Sequence, residues 1–177
     1  MKSVQTSNAR DRVSTRTAPG ESTEPLCVGS DPSKFFPDGL GPALDSQVAA
    51  AKQVCSVCPF RLNCLANAIR FNAEEGIWAG FTPRERRRLS SRAKSLARFD
   101  RHLIERVAAG HIVDVDRQDR STVVMGLHRQ GWDIPRIARA MELTPIAVQL
   151  NLQTELELEF FLHAHERSKL MTAECPI

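Results

Sequence analysis

Apolar residues recur along this chain mostly at spacings of three and four, the period of helices that bury one face. Leu44, Val48 and Ala51 predict a helix over Ala43–Val54. Cys58-Pro59 breaks it, and Leu62, Leu65, Ala66 and Ile69 predict a second helix from Phe60 to Asn72. Glycines bracket Gly76-Ile77-Trp78-Ala79-Gly80, which reads as a tight turn projecting Trp78. Thr82-Pro83-Arg84-Glu85 has the form of an N-cap with Pro at N1 and opens a third helix. Leu96, Phe99, Leu103 and Val107 form a further helical stripe that ends at Gly110-His111. Short helices are expected from Val123 to Gln130, from Ile134 to Met141, and from Thr144-Pro145 through Leu152, with a last one over Leu156–Leu170. Ile112–Val115 is the one segment with strand alternation. The expected fold class is all-α.

Organisation follows from where apolar residues are scarce. Residues 1–25 are polar and read as a disordered leader; 26–83 form a cysteine-rich module, 84–106 a basic helix and linker, and 107–177 a helical extension. No apolar run reaches the ~18–20 residues of a membrane helix, and the N-terminus lacks a signal-peptide core, so a cytoplasmic protein without membrane contact is expected. The net charge of +3 conceals a strong pattern. Residues 84–106 carry nine basic and three acidic side chains, whereas 107–177 carry seven and ten.

Four of the five cysteines, Cys27, Cys55, Cys58 and Cys64, fall in the front module with spacing C-x27-C-x2-C-x5-C. C-x2-C turns two thiolates toward one centre, Cys64 follows on the next helix, and Cys27 must return from a distant loop. A module of this size with few large apolar side chains has a small core, which metal ligation would offset. Four thiolates suit structural zinc and equally suit an iron–sulfur cluster. A second C-x2-C or H-x3-5-H pair, usual for zinc, is missing. Reduced buried thiols, or a disulfide-exchange pair at Cys55 and Cys58, are the alternatives. Cys175 stands apart and reads as an incidental thiol.

Several of these elements together resemble the WhiB-like proteins of actinobacteria and their phages. The matching residues are Asp31-Pro32-Ser33-Lys34-Phe35-Phe36-Pro37, the C-x2-C-x5-C group, and Gly76-Ile77-Trp78-Ala79-Gly80 followed by Thr82-Pro83-Arg84-Glu85-Arg86. They span roughly residues 26–95. The resemblance implies one 4Fe–4S cluster per chain on Cys27, Cys55, Cys58 and Cys64, sensitive to O2 and nitric oxide. It also implies transcription control through domain 4 of the primary sigma factor, docked on Phe35, Phe36 and Trp78, and through promoter DNA. Ala79 stands where many members carry a second glycine, and the extension beyond residue 107 is unusual for the family.

Arg84, Arg86, Arg87, Arg88, Arg92 and Lys94 lie within about three helical turns and are expected to contact DNA phosphates. A solvated face is the ordinary reading of a charge run, but this one is unusually concentrated. Val123–Leu152 has the rhythm of a helix-turn-helix, with Gln149, Asn151 and Gln153 as polar readers. Because the segment is acidic, the expectation assigns the tail, and above all Thr154–Leu170, to protein contact or dimerisation. The leading function is therefore a non-enzymatic iron–sulfur transcriptional regulator. The rivals are a protein disulfide reductase using Cys55 and Cys58, for which a thioredoxin-type βαβ context is missing, and a zinc-stabilised DNA-binding protein.

Overall fold

The computed structural model describes residues 24–38, 41–111 and 113–171; the expectations for residues 1–23, for Ile112 and for Cys175 lie outside them. A 3-10 turn, Pro32–Phe35, precedes seven helices: α1 (Pro42–Ser56), α2 (Arg61–Arg70), α3 (Pro83–Leu96), α4 (His102–Ala108), α5 (Arg120–Arg129), α6 (Ile134–Ala140) and α7 (Pro145–Leu170). The fold is all-α, as the periodicity predicts. No strand forms among the described residues, and Val115 instead enters the core from a loop.

Local chemistry explains the helix starts. At α3, Thr82 Oγ1 accepts from the Glu85 amide at 3.3 Å while Glu85 Oε2 accepts from the Thr82 amide at 2.9 Å, a reciprocal capping box. Asp133 caps α6 and Thr144 caps α7 by the N-cap side chain alone, accepting from the Arg136 and Ala147 amides, each with proline in the first turn.

Two elements differ from expectation. The stripe Leu96–Val107 is not one helix, because the chain tightens after Leu96 and Asp100 Oδ1 accepts from the His102 amide at 3.0 Å to restart it as α4. The break sends Leu96 to one core and Phe99, Leu103 and Val107 to another. Conversely, the two helices expected after Thr144 are a single helix of 26 residues, about 39 Å long at 1.5 Å per residue. It holds no glycine, and no proline after Pro145, that could interrupt it.

α7 serves both cores. Its first half contributes Val148 to a cluster with Val107, Val123, Val124, Leu127, Ile137 and Ala138, which joins α4, α5 and α6. Gly126 on α5 is part of that fit, since a Cβ there would lie 2.4 Å from Ile104 Cδ1 on α4. The second half contributes Leu158, Phe161 and Ala164 to a cluster with Leu65, Ala66, Phe81 and Leu89 of the front module. Thr154–Leu170, expected as a surface for another protein, thus spends its apolar face inside its own chain. Its periodicity could not distinguish the two, because an internal and an external partner bury the same stripe.

Removing the shared side chain should therefore destabilise the front module from a position about a hundred residues away. Phe161→Ala is expected to cost ~3–5 kcal/mol in denaturant unfolding. Leu156→Ala on the exposed side of the same helix should change stability by no more than about 0.5 kcal/mol.

Candidate metal centre

All four front-module cysteines are free thiols. Cys55 ends α1, and the Cys58 amide donates to the Cys55 carbonyl at 3.2 Å, which forms the link into α2. Cys64 lies one turn into α2, and Cys27 sits in an exposed turn before the 3-10 segment. Cys27 and Cys58 are close enough to act electrostatically on both Cys55 and Cys64. The chain thus brings all four thiols to one region, Cys27 included. Among the described residues, no three Cys, His, Asp or Glu side chains are placed to close on a metal ion as they stand.

Burial pushes the Cys64 thiol up to about 11 and raises Cys55 as well, more than the backbone amides of Ala79 and Gly80, donating to Cys64 and Cys55, lower them. Neighbouring thiols add to the rise at both. Those two amides come from the glycine-tryptophan turn, so the turn faces sulfur with its backbone.

The turn itself is rigidly held. An isolated antiparallel bridge pairs Trp78 with Phe81, and Trp78 Nε1 donates to the Glu75 carbonyl at 3.1 Å. Ala79 has φ +55 and is buried, so its methyl occupies a left-handed position that costs a glycine nothing. Gly76 has φ +72, and a Cβ there would meet the Phe36 ring at 2.7 Å. The Ile77 amide donates to the Phe35 carbonyl at 2.7 Å, fastening the segment after Cys27 to the turn. Phe35 and Trp78 are half-buried, while Phe36 is 48% exposed.

Arg86 corrects the sequence reading most clearly. Expected on DNA phosphates, it is 7% exposed and lies beneath the turn. Nη1 donates to the Gly76 and Phe81 carbonyls, both at 2.8 Å, and Nη2 to those of Ala73 and Glu75 at 2.8 and 3.1 Å. A signal for this was present: Arg86 precedes Leu89 by three and Ala93 by seven, the inward face of α3. Arg61, not singled out in the sequence, acts similarly. Its Nε donates to the Ala79 carbonyl at 2.9 Å, and its guanidinium lies 5.6 Å from the Phe81 ring centroid and 4.7 Å from that of Phe160.

Arg92 is also withdrawn from phosphate contact. It donates to Ser121 Oγ at 2.5 Å and Thr122 Oγ1 at 2.8 Å, and lies 3.5 Å from the buried Glu155 carboxylate. The exposed cations of α3 are Arg84, Arg87, Arg88 and Lys94, which share one helix face. Of these, Arg88 also approaches Glu157 at 3.5 Å while remaining 60% exposed. Lys52 ties α1 to the start of α3 through Glu85 at 2.6 Å. Burial works against that carboxylate, but Lys52 and the Thr82 amide hold it below its ordinary range.

Comparison with known proteins identifies the class. A sequence model described as transcription factor WhiB matches residues 22–89. Transcriptional regulator WhiB1 of Mycobacterium tuberculosis is 44% identical over 75 residues, 41% of this chain and 88% of that protein. Transcriptional regulator WhiB of Streptomyces coelicolor is 41% identical over 68 residues, 38% of this chain and 72% of its own length. WhiD of the same organism is 41% identical over 71 residues, covering 39% of this chain and 63% of its own. All three are named transcriptional regulators. The chain belongs to the WhiB family, and the family match ends at Leu89, so α4–α7 lie beyond it. No described helix is long and apolar enough to cross a membrane.

The two adjacent arginines Arg86 and Arg87 should behave oppositely. Arg86→Ala leaves four carbonyls without their donor and should cost at least ~2 kcal/mol in urea unfolding. Arg87→Ala, on the solvent face, should shift stability by no more than about 0.5 kcal/mol.

Proposed function

We propose that this regulator carries a 4Fe–4S cluster on Cys27, Cys55, Cys58 and Cys64, and that it acts by binding domain 4 of the primary sigma factor and promoter DNA. The observation that carries the reading is the gathering of four free thiols beneath a turn that aims two backbone amides at sulfur. Amide donors of this kind stabilise thiolates and tune a cluster. One C-x2-C pair with no second C-x2-C or H-x3-5-H pair suits an iron–sulfur cluster better than structural zinc. When bound, the cluster supplies a centre that O2 and nitric oxide attack.

The chain's own residues would do the rest. Leu26, Val28 and Val57 flank the cysteines in sequence and are all exposed, as is Phe36. Such an apolar rim suits a protein partner that covers the centre and excludes oxidants. Trp78 of the turn and Phe35 of the 3-10 segment, both half-buried, belong to the same contact. Arg84, Arg87, Arg88 and Lys94 form the phosphate-facing stripe on α3.

Anaerobic purification should yield a brown protein absorbing in the ~400 nm region. Cys27→Ser, Cys55→Ser, Cys58→Ser and Cys64→Ser should each lose the iron, while Cys175→Ser keeps it. Full iron in Cys27→Ser, or stoichiometric zinc in the colourless wild type, would overturn the assignment. Phe36→Ala and Trp78→Ala should each weaken sigma-domain binding in titration calorimetry by ~2 kcal/mol or more. Undiminished binding by the double variant would remove those residues from the interface.

A further inference from the structure

We infer that α5, α6 and the first half of α7 form a helix-turn-helix, and that the exposed face around Ile146, Gln149 and Leu150 reads base edges in duplex DNA. This second DNA site lies beyond the family match and needs neither the cluster nor the sigma contact. It extends the phosphate contact proposed for α3.

The packing has the required form. Ile137, Ala138 and Val148 are buried together, with Met141, Leu143 and Leu152 against them, so the α6–α7 corner is fixed by apolar side chains on both helices. The turn closes tightly. The Met141 amide donates to the Ile137 carbonyl at 2.9 Å, the Leu143 amide to that of Ala138 at 2.8 Å, and Glu142 takes φ +52 between them. Two helices joined by so short a turn, with a third packed behind, are the arrangement that presents the last helix to a major groove.

What α7 presents outward fits bases. Ile146 is 69% exposed and Leu150 63%, and Gln149 is exposed beside them. A glutamine amide can pair with adenine N6 and N7, and an aliphatic side chain can pack on a thymine methyl. Asn151 and Gln153 are not available for this, since Asn151 Nδ2 donates to the Ala147 carbonyl at 2.7 Å and Gln153 Nε2 to Glu157 Oε1 at 3.3 Å in their own helix. An open groove beside this face, between α3 and the loop before α5, is lined by Arg88, Arg117 and Arg120, with Asp116 the carboxylate among its lining residues.

The acidity that favoured a protein partner is located elsewhere. Residues 107–153 carry five basic and five acidic side chains, and the acidic excess lies in 154–177. There Glu155 is engaged by Arg92, Glu157 by Arg88 and Glu159 by Arg129. These carboxylates are compensated within the chain. Arg117 and Arg120 therefore border the α7 face across that groove, and the face itself carries the Gln149 amide and the methyls of Ile146 and Leu150. That complementarity favours duplex DNA over a protein as its occupant.

Selection of bound sequences from a random duplex library by the full chain tests this. Wild type should enrich a short motif. Ile146→Ala combined with Gln149→Ala should keep its affinity for random duplex and its helical circular dichroism, but lose discrimination at one or two motif positions by about 5- to 150-fold. Arg84→Ala with Arg87→Ala should instead weaken all duplexes alike while leaving the motif in place. An unchanged motif in the α7 double variant would overturn the inference, as would a wild type that enriches nothing. Loss of sigma-domain binding or of self-association with the motif intact would make the face a protein contact and overturn it equally.

Discussion

Leu158, Phe161 and Ala164 close the apolar face that α2, α3 and the glycine-tryptophan turn leave open. That contact joins residues nearly a hundred positions apart, and the other features of the front module rest on it. α2 carries Cys64, which packs against the cluster that α7 closes; Arg61 lies near the rings of Phe81 and of Phe160 on α7. A module of some seventy residues buries too little surface to be secure alone. Here the added helix enlarges the core directly, beside whatever stabilisation ligation supplies. Ala66 and Ala164 keep the helices close, while Phe161 provides bulk.

The arginines of α3 and α2 show that local charge density is a poor guide to role. Arg86 satisfies four carbonyls, Arg61 supports two aromatic rings, and Arg92 neutralises a buried glutamate. Arg84, Arg87 and Lys94 face water. All belong to, or lie near, one cationic run, yet each is assigned by its direction from the helix axis. The same holds for the acids. Glu155, Glu157 and Glu159 make the tail acidic by composition, but each meets an arginine from α3 or α5.

Signals acting over a few residues were legible in the chain. Thr82-Pro83, Asp133 and Thr144-Pro145 mark helix starts because capping is settled within one turn. The turn at residues 76–80 was readable from its glycines, and Ala79 within it takes φ +55, a backbone conformation that glycine adopts without strain. Long-range pairing was not readable. Apolar spacing alone does not say which core a stripe faces, so the division of Leu96 from Phe99 and the continuity of α7 both escaped it. Arg86 could have been placed by its spacing to Leu89, but a guanidinium in an inward position is unusual enough that charge dominated the reading. Among the site residues, the C-x2-C-x5-C group is visible in the spacing, whereas the amides of Ala79 and Gly80 that donate to sulfur belong to the backbone and carry no residue signature.

The shared helix also imposes an order on biosynthesis. Phe161 follows Cys64 by 97 residues. At the usual ~5–20 residues per second, the thiols and the bare side of α2 leave the ribosome roughly 5–20 s before their cover exists. During that interval Leu65, Phe81 and Leu89 lack the side chains that bury them, and Cys64 lacks the apolar shield around it. The nascent chain is thus at its most open to metal donors, and to chaperones or aggregation, before α7 is made. Arrival of α7 ends that window by closing a loop of nearly a hundred residues onto the first core.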